Sequence, residues 1–218
     1  MQRLPEKLRS LGATKGVSNG YSYDAKDTIP DIQALLRLGV QYEFTTLTAA
    51  VKSTLAQHAV GSSATVSRLL KHMKETCLPW PDTRSEYFTL RRAEWRLLLN
   101  DLLTLAHAHK IYAMLPGLYC LFLALDGPLE LSRNGGLSMS DRLRCSTGFH
   151  FLYSDICRLG GGKIKQPASS SLDHQALWEF SCLTVCEQEC VWRSLPGVFQ
   201  LPSWDDLWTS PNLNISSI

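Results

Sequence analysis

The sequence lacks the features that mark secreted, membrane-spanning and nucleic-acid-binding proteins. Its first 20 residues are charged and contain no apolar stretch of the kind found in secretory signals. Charged residues make up 19% of the 218 residues, and the net charge is +2. Nucleic-acid binding usually requires clustered Lys and Arg and a high isoelectric point. We therefore expect an intracellular protein, cytoplasmic or nuclear, that does not bind nucleic acid.

Long apolar runs are also missing. The longest, from Tyr112 to Leu125, contains Pro116 and Gly117 and is shorter than the about 20 residues that a membrane span needs. We predict a buried helix here and no membrane as a partner. A basic stretch at Arg91, Arg92 and Arg96 is interpreted as the solvated face of another helix.

The sequence offers little support for a catalytic site. Residues 16–20 (GVSNG) match the G-x-S-x-G pattern of a nucleophile elbow, but they lie in a segment without a sustained apolar period, whereas the elbow joins a strand to a helix. The segment 160–163 (GGGK) has neither the glycine spacing of a phosphate-binding loop nor a Ser or Thr after Lys163. His107 and His109 are two residues apart and would point to different faces of a helix. We therefore predict no catalytic residue, no cofactor and no enzymatic activity.

Seven cysteines in a chain without a secretory signal are expected to be free thiols. Cys182, Cys186 and Cys190 have the spacing of one helix face, but they would extend over about 12 Å at the helical rise of 1.5 Å per residue. We interpret them as small buried apolar residues. The alternative is a zinc-stabilised regulatory domain, in which Cys182 and Cys186 bind the ion with Cys157 or His174.

Helical periodicity dominates the chain and strand signals are almost absent, which predicts an all-α fold. Residues 1–30 have no sustained apolar period and are expected to be a weakly ordered N-terminal segment. Residues 31–159 are predicted to form a helical array, and residues 160–171 (GGGKIKQPASSS) a Gly/Ser linker. Residues 172–218 should form a C-terminal helix and a Trp-rich tail.

The predicted helices have recognisable ends. One covers residues 64–75, with a basic outer face. A long leucine-rich region from residue 85 should break near Lys110 and start again around Pro116, because proline suits the first turn of a helix. Ser138 or Ser140 should cap a helix that runs to residue 159. The C-terminal helix is predicted from about Leu172 to Arg193.

A helix-pair motif occurs twice, at an offset of 67 residues. Its pattern is Leu-Leu-x-Leu-small-x-x-aromatic-x-apolar, and the two copies begin at Leu35 and Leu102. The leucines should line one face, and the small residue, Ala106 in the second copy, lets the next helix approach closely. The apolar residue of the turn, Ile111, should fill the gap between the helices. Stacked helix pairs of this kind mainly provide packing and partner surfaces.

The run IQALLRLGVQYEFTTLTAAVKSTL (residues 32–55) resembles the last helix pair of a BTB (POZ) domain. The motifs LLTLAHAHKIYAMLPGLYCLFLAL, LSMSDRLRCSTGFHFL and WRSLPGVFQLPSWDDL then follow. Their order is similar to that in BTB-domain-containing proteins numerous in mushroom-forming fungi. The resemblance extends to about residue 207. Residues 1–30 do not have the strand-rich pattern with which a BTB domain begins. The chain therefore resembles the C-terminal portion of such a protein, without most of the BTB domain.

The resemblance implies a non-enzymatic adaptor that binds other proteins. The sequence identifies neither these partners nor the oligomeric state. Interface energetics are usually dominated by a few large apolar or aromatic anchors. In the tail we expect Phe199, Trp204 and Trp208 to be exposed and to serve as these anchors.

Overall fold

The computed structural model describes residues 34, 41–42, 45–56, 60–77, 85–133, 136–160, 174–209 and 215. In this part of the chain 86% of residues are helical and none lies in a strand, which confirms the predicted all-α fold. No helix here is long and apolar enough to cross a membrane. The N-terminal segment 1–30, nearly all of the linker 160–171 and most of the first helix-pair copy lie outside the described residues.

The α-helices are α1 (Thr45–Leu55), α2 (Ser63–Cys77), α3 (Ser85–Ala108), α4 (Leu115–Arg133), α5 (Met139–Leu159), α6 (Val185–Val198) and α7 (Trp204–Thr209). Two 3-10 helices, η1 (Tyr112–Met114) and η2 (His174–Cys182), precede α4 and α6. The predicted helix over residues 64–75 is confirmed as α2. The predicted break near Lys110 is also confirmed, because Lys110 has a positive φ of 55° between α3 and η1.

The core is built around α4. Every residue from Ile111 to Gly127 is buried, which confirms the buried helix predicted from the apolar run. Helix α4 packs against α2, α3, α5 and η2. Its part before the kink, Leu115 to Leu125, is apolar on all sides, which is typical of such a central position. In the second helix-pair copy Ala106 is fully buried and Ile111 nearly so, as predicted for the close approach and the filled gap.

Helix α4 kinks at Gly127, whose φ of 66° and ψ of 170° are not helical. Glycine adopts this positive φ at little cost, and Pro128 cannot donate the backbone hydrogen bond that would continue the helix. Two arginines of α3 meet the kink. Arg92 donates to the carbonyl oxygen of Leu125 through Nε at 3.0 Å, and Arg96 binds the Asp126 carboxylate.

The prediction of a solvated basic face is therefore wrong for Arg92, which is half-buried and donates to Leu125, and holds only in part for Arg96, whose side chain is 38% exposed but binds Asp126. Sequence periodicity shows which residues share a helix side, but it does not show that a kinked neighbour offers acceptors to that side. Arg91 is exposed as predicted, and it pairs with Glu94 one turn along α3.

The prediction of one helix from Leu172 to Arg193 is wrong. The chain forms η2 first and passes through Thr184, whose extended backbone (φ −64°, ψ 160°) cannot be part of a helix. A capping box then starts α6. The backbone N–H of Glu187 donates to the Thr184 hydroxyl at 3.4 Å, and that of Thr184 donates to the Glu187 carboxylate at 2.7 Å. Helix α6 continues through Pro196 to Val198.

Candidate functional site

A buried carboxylate, Asp141, lies in the first turn of α5. Ser138 caps this helix, as predicted. Its hydroxyl oxygen accepts from the Asp141 backbone N–H at 3.1 Å and donates to Oδ2 of the same residue at 2.5 Å. The hydroxyl of Tyr119 on α4 donates to Oδ1. Only 1% of Asp141 is exposed, so these contacts replace the water that the carboxylate has lost.

Two basic side chains complete the Asp141 cluster. Nε2 of His107, in the last turn of α3, lies 3.3 Å from Oδ2 of Asp141, but the alignment is too poor for a hydrogen bond. Arg144 is nearly buried and places Nη1 4.0 Å from Oδ1. Its Nη2 donates to the carbonyl oxygen of Ile215, which ties the C-terminal region to α5.

The electrostatics of the Asp141 cluster keep the carboxylate ionised. Burial alone would raise the pKa of Asp141, but the contacts with His107, Ser138 and Tyr119 lower the pKa to about 2. Burial, and then the negative charge of Asp141, raise the pKa of Tyr119 well above its usual range. A general acid or base works best with a pKa near the operating pH, and neither residue meets this condition near neutrality.

A cleft of about 500 Å³ opens beside the Asp141 cluster, between the end of α3 and the start of α5. Its size is within the range of small-ligand pockets. In a Ser-His-Asp triad the imidazole lies between the hydroxyl and the carboxylate. Here the Ser138 hydroxyl donates straight to Asp141, so His107 is not placed to activate it. The cluster joins the ends of α3, α4 and α5 and shows no activated nucleophile.

Sequence reasoning missed the Asp141 cluster. His107, Tyr119 and Asp141 belong to three different helices, and no local spacing predicts that they meet. The one available signal was Ser138-x-x-Asp141, a capping-box pattern that shows where the helix starts. It does not show which side chains of other helices reach the same carboxylate.

The predicted exposure of Phe199 is wrong. Its side chain is fully buried just after the end of α6 and packs edge-to-face on the ring of Tyr119, with centroids 5.4 Å apart. Gly148 on α5 makes room for it, because a Cβ at this position would lie 2.5 Å from Cδ1 of Phe199. The aromatic residues of the tail resembled surface anchors in the sequence, but this one belongs to the core.

The other two predicted anchors differ in exposure. Trp204 is half-buried; its indole stacks on Trp192 at 4.7 Å, and its Nε1 donates to the Trp192 carbonyl oxygen at 3.1 Å. Trp208 is 42% exposed, while its neighbour Leu207 is buried. Helix α7 therefore packs through Leu207 and presents Trp208 outwards. Of the three predicted anchors, Trp208 is the one most accessible to a partner.

Helix α5 has an exposed apolar face that sequence reasoning also missed. Met139 is 82% exposed, Leu143 56% and Phe151 61%. With Thr147 they follow the four-residue ridge of the helix surface. The buried apolar side chains of α5 that face the core are those of Cys145, Phe149, Leu152 and Ile156. The helix therefore has apolar residues on both sides, and the sequence could not show which side the core covers.

All seven cysteines are free, as predicted. Cys182, Cys186 and Cys190 are exposed, so the prediction that they are buried is wrong. They do not lie on one helix either, because Cys182 ends η2 whereas the other two lie on α6. Among the described residues no three His, Cys, Asp or Glu could hold a metal ion together, so Cys157, Cys182 and Cys186 do not form the alternative zinc site. The side chain of His174 lies outside the description.

Comparisons with protein-family models, with curated proteins and with solved structures found no match to this chain. The resemblance to the C-terminal portion of BTB-domain-containing proteins therefore stays a prediction.

Proposed function

We propose that this chain is a non-enzymatic protein-interaction module, an adaptor of the fungal BTB-related type that the sequence resemblance predicts. The observation that carries the proposal is the exposed apolar face of α5, formed by Met139, Leu143 and Phe151. Apolar residues grouped on a surface, as opposed to scattered singly, mark interaction sites. The opposite face of α5 is already committed to the core, so this second face requires a separate explanation.

The shape of the α5 face suits a helical partner. Met139 and Phe151 are twelve residues apart, which is about 18 Å along the helix axis at 1.5 Å per residue. Such a ridge matches the side-chain spacing of an amphipathic helix laid against it. Exposed polar residues lie beside the ridge: Ser146, His150 and Ser154. An apolar centre with a polar rim is the usual composition of a protein interface.

Two further observations support the proposal. The Asp141 cluster satisfies its own carboxylate and offers no activated group, which favours binding over catalysis. The exposed thiols of Cys182, Cys186 and Cys190 are free, and such thiols persist in the reducing cytoplasm and nucleus, where we place this adaptor. We propose Trp208 as an additional contact for the partner, because exposed Trp is a frequent anchor in interfaces.

Leu143→Glu tests the α5 face, and Leu90→Glu is its matched control. Leu90 is also a large exposed apolar residue, but it lies on α3. Proteins captured from extracts of the source organism are compared by quantitative mass spectrometry. We expect the natural chain and the Leu90 variant to capture at least one protein equally. The Leu143 variant should capture at least about tenfold less of it, because the loss of an interface anchor costs at least about 1.4 kcal/mol of binding free energy.

Circular dichroism must show that both variants keep the helical fold. Equal capture by the two variants, or a loss of capture confined to Leu90→Glu, would contradict the assignment of the binding surface to α5. If no protein is captured reproducibly by the natural chain, the proposal of an interaction module is contradicted.

A further inference from the structure

Two exposed thiols lie next to each other on α6. Cys186 is in the first turn and Cys190 follows four residues later. Side chains at this spacing share a helix face, with Cβ atoms about 5–6 Å apart. The capping box of Thr184 and Glu187 fixes the first turn of α6, so the relative position of the two thiols is set by a well-formed helix.

The carboxylates nearest to this pair along the chain have other partners. Glu187 accepts from Thr184 in the capping box, and Glu189 accepts from the hydroxyl of Ser63 on α2. Cys182 is also engaged, because its thiol hydrogen-bonds to the carboxylate of Glu179. Within the described residues no third His, Cys, Asp or Glu joins the pair in a metal-binding group. Among these ligand types, the described part of the chain therefore offers an ion at this place only the two sulfur atoms.

The geometry distinguishes the reactions open to two such thiols. A disulfide requires Cβ atoms about 3.5–4.5 Å apart, closer than the helix allows. Zinc requires about four ligands, which the pair does not provide. A linear sulfur–metal–sulfur unit spans about 4.6 Å if each bond is about 2.3 Å, the length of a zinc–sulfur bond. With Cβ atoms about 5–6 Å apart, rotation about the two Cα–Cβ bonds can bring the sulfur atoms to this separation while α6 stays helical.

We propose that Cys186 and Cys190 form a two-coordinate site for the soft monovalent ion Cu(I). Thiolate ligands select this ion over harder ones. Binding converts two thiols and one Cu(I) into a dithiolate complex and releases two protons. The oxidation state of the metal does not change, so the step needs no oxidant or reductant.

The test is a competition titration of the reduced full chain with Cu(I) under nitrogen, with bicinchoninate as the coloured competitor. We expect one Cu(I) per chain. Cys186→Ser and Cys190→Ser should each weaken binding by about a hundredfold or more, because each removes a direct ligand. Cys182→Ser is the matched control, with another exposed thiol removed, and should leave the affinity unchanged.

Serine at these exposed positions should have little effect on the fold, and circular dichroism of each variant verifies this. Equal affinity of the natural chain, Cys186→Ser and Cys190→Ser would overturn the site. An equally large loss of Cu(I) affinity in Cys182→Ser would overturn the assignment of the site to Cys186 and Cys190 alone. Size-exclusion chromatography gives a third readout: a chain that stays at the same elution volume with Cu(I) supports a site within one chain, whereas a Cu(I)-dependent dimer would overturn it.

Discussion

Arg96 on α3 donates two hydrogen bonds to the carboxylate of Asp126, from Nε to Oδ2 at 2.9 Å and from Nη2 to Oδ1 at 2.6 Å. The two partners are not equally buried. The Asp126 side chain is 1% exposed, whereas that of Arg96 is 38% exposed. The pair lies at the kink of α4, where regular backbone hydrogen bonding is interrupted.

This asymmetry predicts unequal effects of removing either partner. Arg96→Met keeps most of the side-chain stem but leaves a buried carboxylate unpaired, so we expect the free energy of unfolding to fall by about 3 kcal/mol. Asp126→Asn leaves a guanidinium that can still reach water, so we expect a loss of about 1–2 kcal/mol. Urea unfolding measures both values.

Arg91→Ala is the control for this pair. Arg91 lies on the same helix in an exposed pair with Glu94, and such pairs contribute at most about 1 kcal/mol. A larger loss for Asp126→Asn than for Arg96→Met would contradict the argument from burial.

The low pKa of Asp141 predicts a pH-dependent contribution to stability. Its folded-state pKa of about 2 is below the ordinary value of 3.8. The contribution is therefore complete above the ordinary value and is lost as the pH falls through the folded-state value. We expect the difference in unfolding free energy between the natural chain and Asp141→Asn to shrink by about 2 kcal/mol from about pH 5 to about pH 2.

Urea unfolding at a series of pH values measures this difference. Asp155→Asn, which affects an exposed pair with Arg158 on the same helix, should alter stability by less than about 1 kcal/mol. A difference for Asp141→Asn that does not change with pH would show that the Asp141 cluster does not hold the carboxylate as described.

Gly148 and Gly197 form a matched pair for testing close packing. A Cβ at Gly148 would lie 2.5 Å from the buried ring of Phe199, whereas nothing lies within 4 Å of a Cβ at Gly197. We expect Gly148→Ala to cost about 1–3 kcal/mol through overpacking. Gly197→Ala, inside α6, should add about 0.5–1 kcal/mol because alanine favours the helix. Thermal unfolding of both variants checks the opposite signs, and a stabilised Gly148→Ala would disprove the tight contact.

Substitutions of Phe199 and Trp208 should differ in how strongly they destabilise the chain. Phe199→Ala removes a fully buried ring, and we expect it to destabilise the chain by about 3–5 kcal/mol. Trp208→Ala changes an exposed side chain and should cost less than about 1 kcal/mol. Unfolding in urea gives both values. Similar costs for the two variants would mean that α7 does not present Trp208 to solvent.

Local patterns were sufficient to predict several elements of the fold. The buried α4 followed from its continuous apolar run. The start of α5 followed from Ser138, and the break near Lys110 was predicted together with the restart around Pro116. In each case the deciding information lies within a few residues of the feature itself. The break at Thr184 was also encoded locally, as Thr-x-x-Glu, inside the segment that was predicted to be one continuous helix.

The candidate site could not be predicted in the same way. His107, Tyr119 and Asp141 come together only because α3, α4 and α5 pack at one end, and no spacing within a helix encodes that packing. The exposure of Leu143 and the burial of Phe199 depend equally on which helix covers which side. Sequence patterns identify apolar residues, but tertiary packing decides which of them remain on the surface.

The central position of α4 also has a consequence for how the chain folds. The part of α4 before the kink, from Leu115 to Leu125, is buried on all sides and would expose apolar surface to water if it formed alone. Its formation is therefore coupled to the docking of α2, α3, α5 and η2. The helices of this core should then form and melt together as one cooperative unit. Deleting any of these neighbours would uncover α4 and produce aggregation in place of a smaller stable fragment.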